Sequence, residues 1–143
     1  MELGSVLGIA DRLLSVILKR RRVKVLVHEA VFLGQDPATG AILGSEPHYF
    51  MKVTNISEGR DIEITHVWYE GNPQVSLLGH IRPLPARLRP DETWEDWVRV
   101  ADVAHIPEVA QAGRVRLSNT KVVKSRLNKD VPPVGRIAGS GSG

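Results

Sequence analysis

The pattern of apolar and polar positions changes period once along the chain, at the cationic run Lys19-Arg20-Arg21-Arg22. Before it, in LGSVLGIADRLLSVILKRRR, the apolar residues Val6, Ile9, Ala10, Leu13, Leu14, Val16 and Ile17 gather on one broad side of a helical wheel. Gly8, Asp11, Arg12, Ser15 and Lys19 take the other side, so a helix is predicted over about residues 4–20. After the run the period is two. VKVLVHEAVFL alternates Val23, Val25 and Val27 with Lys24, Leu26 and His28, and ends at the turn-rich GQDPATG. In HYFMKVTN, Tyr49, Met51 and Val53 share a face. Following the turn ISEGR, strict alternation in DIEITHVWYE puts Ile62, Ile64, His66 and Trp68 on one face and Glu63, Thr65, Val67 and Tyr69 on the other. QVSLLG supplies a short strand, and the proline-rich RPLPARLRPD leads into a further strand, TWEDWVRV. ADVAHIPEVAQAG is expected as a loop or short helical turn, and RVRLSNTKVVKSR as a closing hairpin that turns near Ser118-Asn119-Thr120.

Six to eight short strands with frequent turn signals, and helix only at the start, predict an antiparallel sandwich. KVTNISEGRDIEITHV resembles the second and third strands of immunoglobulin-like domains, and LPARLRPDETWEDWV is similar to their mid-domain segment, where a turn leads into the next strand. The resemblance covers residues 23–126 and extends to small bacterial proteins of this architecture. It implies a fold and no particular activity, because immunoglobulin-like domains host many functions. The chain departs from antibody-type domains in having no cysteine pair to bracket a core tryptophan. The expected organisation is therefore an amphipathic helix over 1–21, an all-β, antiparallel immunoglobulin-like sandwich over 22–128, and a Pro/Gly/Ser-rich flexible tail over 129–143.

Charge changes the picture more than composition does. Residues 1–27 carry six cations against Glu2 and Asp11, a surplus of +4, and the chain from Arg114 onward carries seven against Asp130, a surplus of +6. Between them, residues 28–113 hold 6 basic and 13 acidic side chains, a balance of −7. Basic ends on an acidic body suit an anionic partner, or pairing between copies. If the first and last strands are neighbours, Lys24 approaches Lys121, Lys124 and Arg126. With Arg20, Arg21 and Arg22 these form the candidate surface for membrane lipid or nucleic-acid phosphate.

Candidate chemistry is sparse. The absence of cysteine removes thiol nucleophiles and thiolate metal sites. Five single histidines fall in no ligand spacing, and no nucleophile elbow, dinucleotide fingerprint or phosphate loop is present. No enzyme activity, cofactor or metal is expected. The sequon Asn55-Ile56-Ser57 is read as a turn, and His66 as a buried imidazole on the face of Ile62 and Ile64. Trp94 is assigned to the core with Val98, Val100 and Trp68, whereas Trp97 falls among Glu95 and Arg99 and is expected to be partly exposed. The apolar helix side must be buried somewhere, so Val6, Ile9, Leu13, Leu14, Ile17 and Trp97 are the candidate interface residues. These point to a non-catalytic protein-interaction or self-assembly module, whose partner is itself or another protein. The alternative is a peripheral binder of anionic surfaces through the basic terminal segments. The apolar run is short and broken by Asp11-Arg12, and its charges follow it, so neither a membrane span nor a secretory signal is expected. The expected setting is cytoplasmic, with a position peripheral to a membrane as the option that a polybasic helix adds.

Overall fold

The structure, a computed structural model, describes residues 22–131. The helix expected over 1–21, with Val6, Ile9, Leu13, Leu14, Ile17, Arg20 and Arg21, lies outside the described residues, as does the tail from residue 132. The described chain is all-β apart from one 3-10 turn and one four-residue helix. Its elements are β1 (Val23–Ala30), β2 (Leu33–Gln35), β3 (Ile42–Gly44), β4 (His48–Asn55), β5 (Ile62–Tyr69), β6 (Val75–Leu77), β7 (Ala86–Leu88) and β8 (Thr93–Arg99). A 3-10 turn (Val100–Val103) and α1 (Val109–Ala112) then lead to β9 (Gly113–Leu117), β10 (Val122–Lys124) and β11 (Arg126–Leu127).

Two sheets enclose the core. The first has the order β11-β1-β4-β8. The second runs β10-β9-β5-β6, with β7 also paired to β5. All pairings are antiparallel except that of β1 with β11. β2 and β3 form a separate two-stranded ribbon, with the GQDPATG turn near its tip, where the sequence pattern suggested only a loop. Between the sheets, Val25, Val27, Met51, Val53 and Trp94 of the first meet Ile62, Ile64, Val67, Tyr69, Val115 and Leu117 of the second. Each such side chain contributes on the order of 1.5–3 kcal/mol by leaving water. The sheets approach so closely at Gly113 that a Cβ there would lie 2.6 Å from Met51 Cε and from Ser125 Oγ.

The alternation of β5 breaks where strict parity did not foresee it. Ile64 pairs with Leu117 and His66 pairs with the adjacent Arg116, so Thr65 is an extra residue, a β-bulge. Its hydroxyl donates to the Arg116 carbonyl at 3.2 Å. One inserted residue inverts the facing of everything after it. Ile62 and Ile64 point inward as expected, but beyond Thr65 it is Val67 and Tyr69 that fill the core, and His66 and Trp68 turn outward. The expectations of a buried His66 and a core Trp68 are thus corrected by the bulge.

Other turns follow their side chains. Asn55 is fully buried: its amide donates to the carbonyls of Arg60 at 2.8 Å and Leu88 at 3.0 Å, and its Oδ1 accepts from Ser57 N at 2.9 Å. The sequon is therefore a structural turn whose side-chain amide nitrogen is already engaged as a donor. Trp94 is 1% exposed and donates its indole N–H to the Arg82 carbonyl at 2.8 Å.

Candidate binding face on the second sheet

By turning His66 and Trp68 outward, the bulge sets them in register with the cations of β9. On β9, Val115 and Leu117 face the core, so Arg114 and Arg116 face out. Arg114 lies beside Trp68 and Arg116 beside His66. On the other side of β9, Lys124 of β10 is in register with Arg114 and Val122 with Arg116. The outer face of the second sheet thus carries three cations in adjacent strand positions: Arg116 at the indole, Arg114 with its guanidinium donating to the carbonyls of Gln111 at 2.9 Å and Gly113 at 2.8 Å, and Lys124 one strand further out. The Arg116 guanidinium lies over the Trp68 ring, with Cζ 5.7 Å from its centroid, a cation–π arrangement. The Trp68 indole N–H donates to Glu70 at 2.9 Å, which fixes the ring. A cleft of about 440 Å³ opens beside it, between β5, β6 and the segment 78–84. Leu78 and Leu84 supply apolar walls, and Thr65, His66, Gln74, Ser76 and Arg116 supply polar groups.

The segment that walls this cleft is held from behind by Asp96, a fully buried carboxylate of the edge strand β8. Asp96 accepts from Gly79 N at 2.9 Å and from His80 N at 3.2 Å, and also contacts His80 Nδ1. Gly79 has φ +87°, and a Cβ there would run into the Arg82 carbonyl, so the turn requires glycine.

Ion pairing separates the two ends of the described chain from most of its middle. Among the described residues, every Lys or Arg in a salt bridge lies between Lys52 and Arg99, for example Arg87 with Asp61 at 3.0 Å and Arg99 with Asp102 at 2.9 Å. Arg22, Lys24, Arg114, Arg116, Lys121, Lys124, Arg126 and Lys129 take part in none with another described residue. Of the cations expected to gather, Arg22, Lys121 and Lys124 line one cleft of about 420 Å³ at the edge of β10. Arg126 sits on β11 in the first sheet, in register with Leu26, and lines a neighbouring cleft with Lys124 and Arg114. Lys24 is exposed in register with Thr54, on the outer face of the first sheet. Arg114 and Arg116 were absent from the candidates named from sequence, although the alternation Arg-Val-Arg-Leu carried the signal. Trp68 was missed because parity placed it inside.

Trp97 lies half-buried on the outer face of the first sheet, in an aromatic cluster. It stacks on His80 at 4.5 Å and 9° and meets Phe32 edge-on at 5.3 Å, while Phe50 stacks on His28 at 5.3 Å. Burial, and then Lys52, lowers the His28 pKa, against the opposing charge of Glu95. Leu78 lines a cleft with His80 and Trp97, and Leu33 and Ile42 on the ribbon and Ile81 in the 78–84 segment are further exposed apolar side chains. Among the described residues no group of three His, Cys, Asp or Glu side chains is gathered as a metal site requires, and no helix is long and apolar enough to cross a membrane. Comparison with protein-family models, curated proteins and solved structures found no match to any of the three.

Proposed function

We propose that this chain is a non-catalytic binding module of immunoglobulin-like architecture whose partner is anionic and is engaged across the outer face of the second sheet. The architectural part rests on the strand orders β1-β4-β8 and β10-β9-β5-β6, together with the sequence resemblance over residues 23–126. The helix read over residues 1–21 belongs to the same proposal, as an attachment that ends in the basic run 19–22. The functional part is carried by one observation: Arg116 lies over Trp68 with Arg114 and Lys124 on the same sheet face, and among the described residues no carboxylate is in ion-pair contact with any of the three. Cations left unpaired in this way keep their charge available to a ligand, and their attraction falls with salt. Titrating the full chain with inorganic polyphosphate tests the reading. Binding should weaken as salt rises, and it should weaken further in an Arg116→Gln/Lys124→Gln variant. Binding that ignores both salt and the double substitution would sink it.

A second reading, self-assembly or protein binding through the Trp97 side, is favoured by exposed Leu78 in the cleft with Trp97, by Leu33 and Ile81 next in the chain to Phe32 and His80 of the aromatic cluster, and by exposed Ile42 on the ribbon. Light scattering of the full chain and of an Ile42→Ser/Ile81→Ser variant decides it. A multimer that becomes a monomer supports assembly, and an unchanged mass removes it.

A further inference from the structure

The cationic face described above has a second property that narrows its partner: it offers a stacking surface. This inference rests on the anionic-partner reading and goes beyond it. Trp68 stands half-buried on an open antiparallel sheet, with the Arg116 guanidinium over its ring. Unpaired bases stack on aromatic rings and on guanidinium planes, and this face presents one of each. Beside them, the cleft of about 440 Å³ has Leu78 and Leu84 for the flat faces of a base, and His66, Gln74 and Ser76 to bond its edges. Cations flank this platform in two directions. Arg114 and Arg116 are alternate residues of one strand, about 7 Å apart along it, and Lys124 lies on the neighbouring strand about 5 Å from Arg114. That arrangement lets an extended phosphate backbone run along the β9–β10 edge while a base turns toward Trp68.

Other anionic partners use less of what is present. A bilayer surface cannot enter a cleft between strands, so lipid headgroups would reach the cations and leave Trp68 and the cleft idle. An acidic peptide would match the charges and has no need of the indole–guanidinium pair. Two carboxylates share the face, Glu70 accepting from the Trp68 N–H and Glu63 in register with Arg87 across the β5–β7 pair, and the three cations of β9 and β10 outnumber them.

We propose that the outer face of the second sheet binds single-stranded nucleic acid, with Trp68 and Arg116 as the base-stacking platform and Arg114 and Lys124 as phosphate contacts.

Fluorescence anisotropy of a labelled oligothymidylate of about 12 nucleotides with the full chain tests this. Affinity should fall between about 50 and about 200 mM salt. Trp68→Ala should weaken binding between about fivefold and about a hundredfold, while Trp68→Phe retains most of it. Lys124→Gln should make the slope of log affinity against log salt shallower by about 0.7, the value of one single-strand phosphate contact. Far-UV circular dichroism checks that each variant is folded, and Arg116→Gln replaces Trp68→Ala if the latter is not. Oligonucleotide binding that Trp68→Ala or its replacement leaves unchanged overturns the proposal. Binding to phosphatidylserine vesicles or polyglutamate without binding to the oligonucleotide overturns it too, but leaves the anionic-partner reading standing. If none of these polyanions binds, and polyphosphate does not either, both fall.

Discussion

Asp96 is the buried charge on which the wall of the candidate cleft depends, and replacing it with Asn isolates that dependence. The side chain is 0% exposed, with one carboxylate oxygen serving Gly79 N and the other serving His80 N and the His80 ring. Asparagine keeps the volume but has one accepting oxygen, so in either orientation its NH₂ group faces a backbone N–H. A hydrogen bond to a charged group contributes about 1.5–3 kcal/mol, and an unsatisfied buried donor costs about 1–3 kcal/mol more. Some relaxation of the segment offsets part of this, so the expected loss is about 3 kcal/mol. For a domain of this size that lowers the melting temperature by about 12 °C, at about 4 °C per kcal/mol. Thermal and urea unfolding measure it. His80→Ala is the comparison: the imidazole is 58% exposed, and its removal leaves both backbone bonds in place. It should therefore cost no more than about 1 kcal/mol. A loss below about 1 kcal/mol for Asp96→Asn, or equal losses for the two variants, would refute the view that the buried carboxylate pins the segment. Since Leu78 and Leu84 of that segment wall the cleft beside Trp68, Asp96→Asn should also weaken ligand binding, whereas His80→Ala should not.

Gly79→Ala should destabilise by at least about 1 kcal/mol from its positive φ alone, and by more from the clash with Arg82 O; a neutral melting temperature would show that the turn relaxes freely. Tyr69 is fully buried and its hydroxyl has no partner among the described residues, so Tyr69→Phe should leave stability unchanged or raise it by up to about 1 kcal/mol in urea unfolding, and a loss of more than that would contradict the assignment. Burial, with Asp96 next in weight, also raises the Tyr69 phenol, so its contribution holds below its ordinary value of 10 and is lost as pH climbs beyond it. His28 behaves in the opposite sense: its folded pKa lies below 6.5, so the unfolded chain takes up the proton first, and stability is full above 6.5 and lost as pH falls from there toward the folded value. Melting curves of wild type and His28→Phe should converge in slope above pH 6.5 and diverge below it, and parallel curves throughout would exclude the effect.

How much of this was legible in the chain depends on the range over which each signal acts. Local chemistry was enough for the turn at Asn55, whose side chain bonds the backbone two residues on, and for the closing hairpin, where Asn119 Oδ1 accepts from Lys121 N. Alternation was enough for Val25, Val27, Met51, Val53 and Trp94, because in an unbroken strand the facing of one residue dictates the next. It failed at Thr65 for the same reason, since an error of one residue is carried to the end of the strand. Whether a residue is extra is a property of the pairing of β5 with β9, which lie some fifty residues apart, and so no local pattern contained it. The ribbon of β2 and β3 was unreadable on other grounds. Its apolar residues are exposed, and it lacks the buried face that makes a strand visible as alternation.

The sequence by itself determined an all-β domain, most of its core, and basic ends on an acidic body. Tertiary structure decided which outward residues stand together. Strand pairing brought Arg114 beside Trp68, Arg116 beside His66 and Lys124 beside Arg114, and it left Arg126 in the other sheet. Charge and aromatic character are written residue by residue. A binding face is a relation between strands, set by the register in which the backbone hydrogen bonds are satisfied and the apolar faces are closed against water.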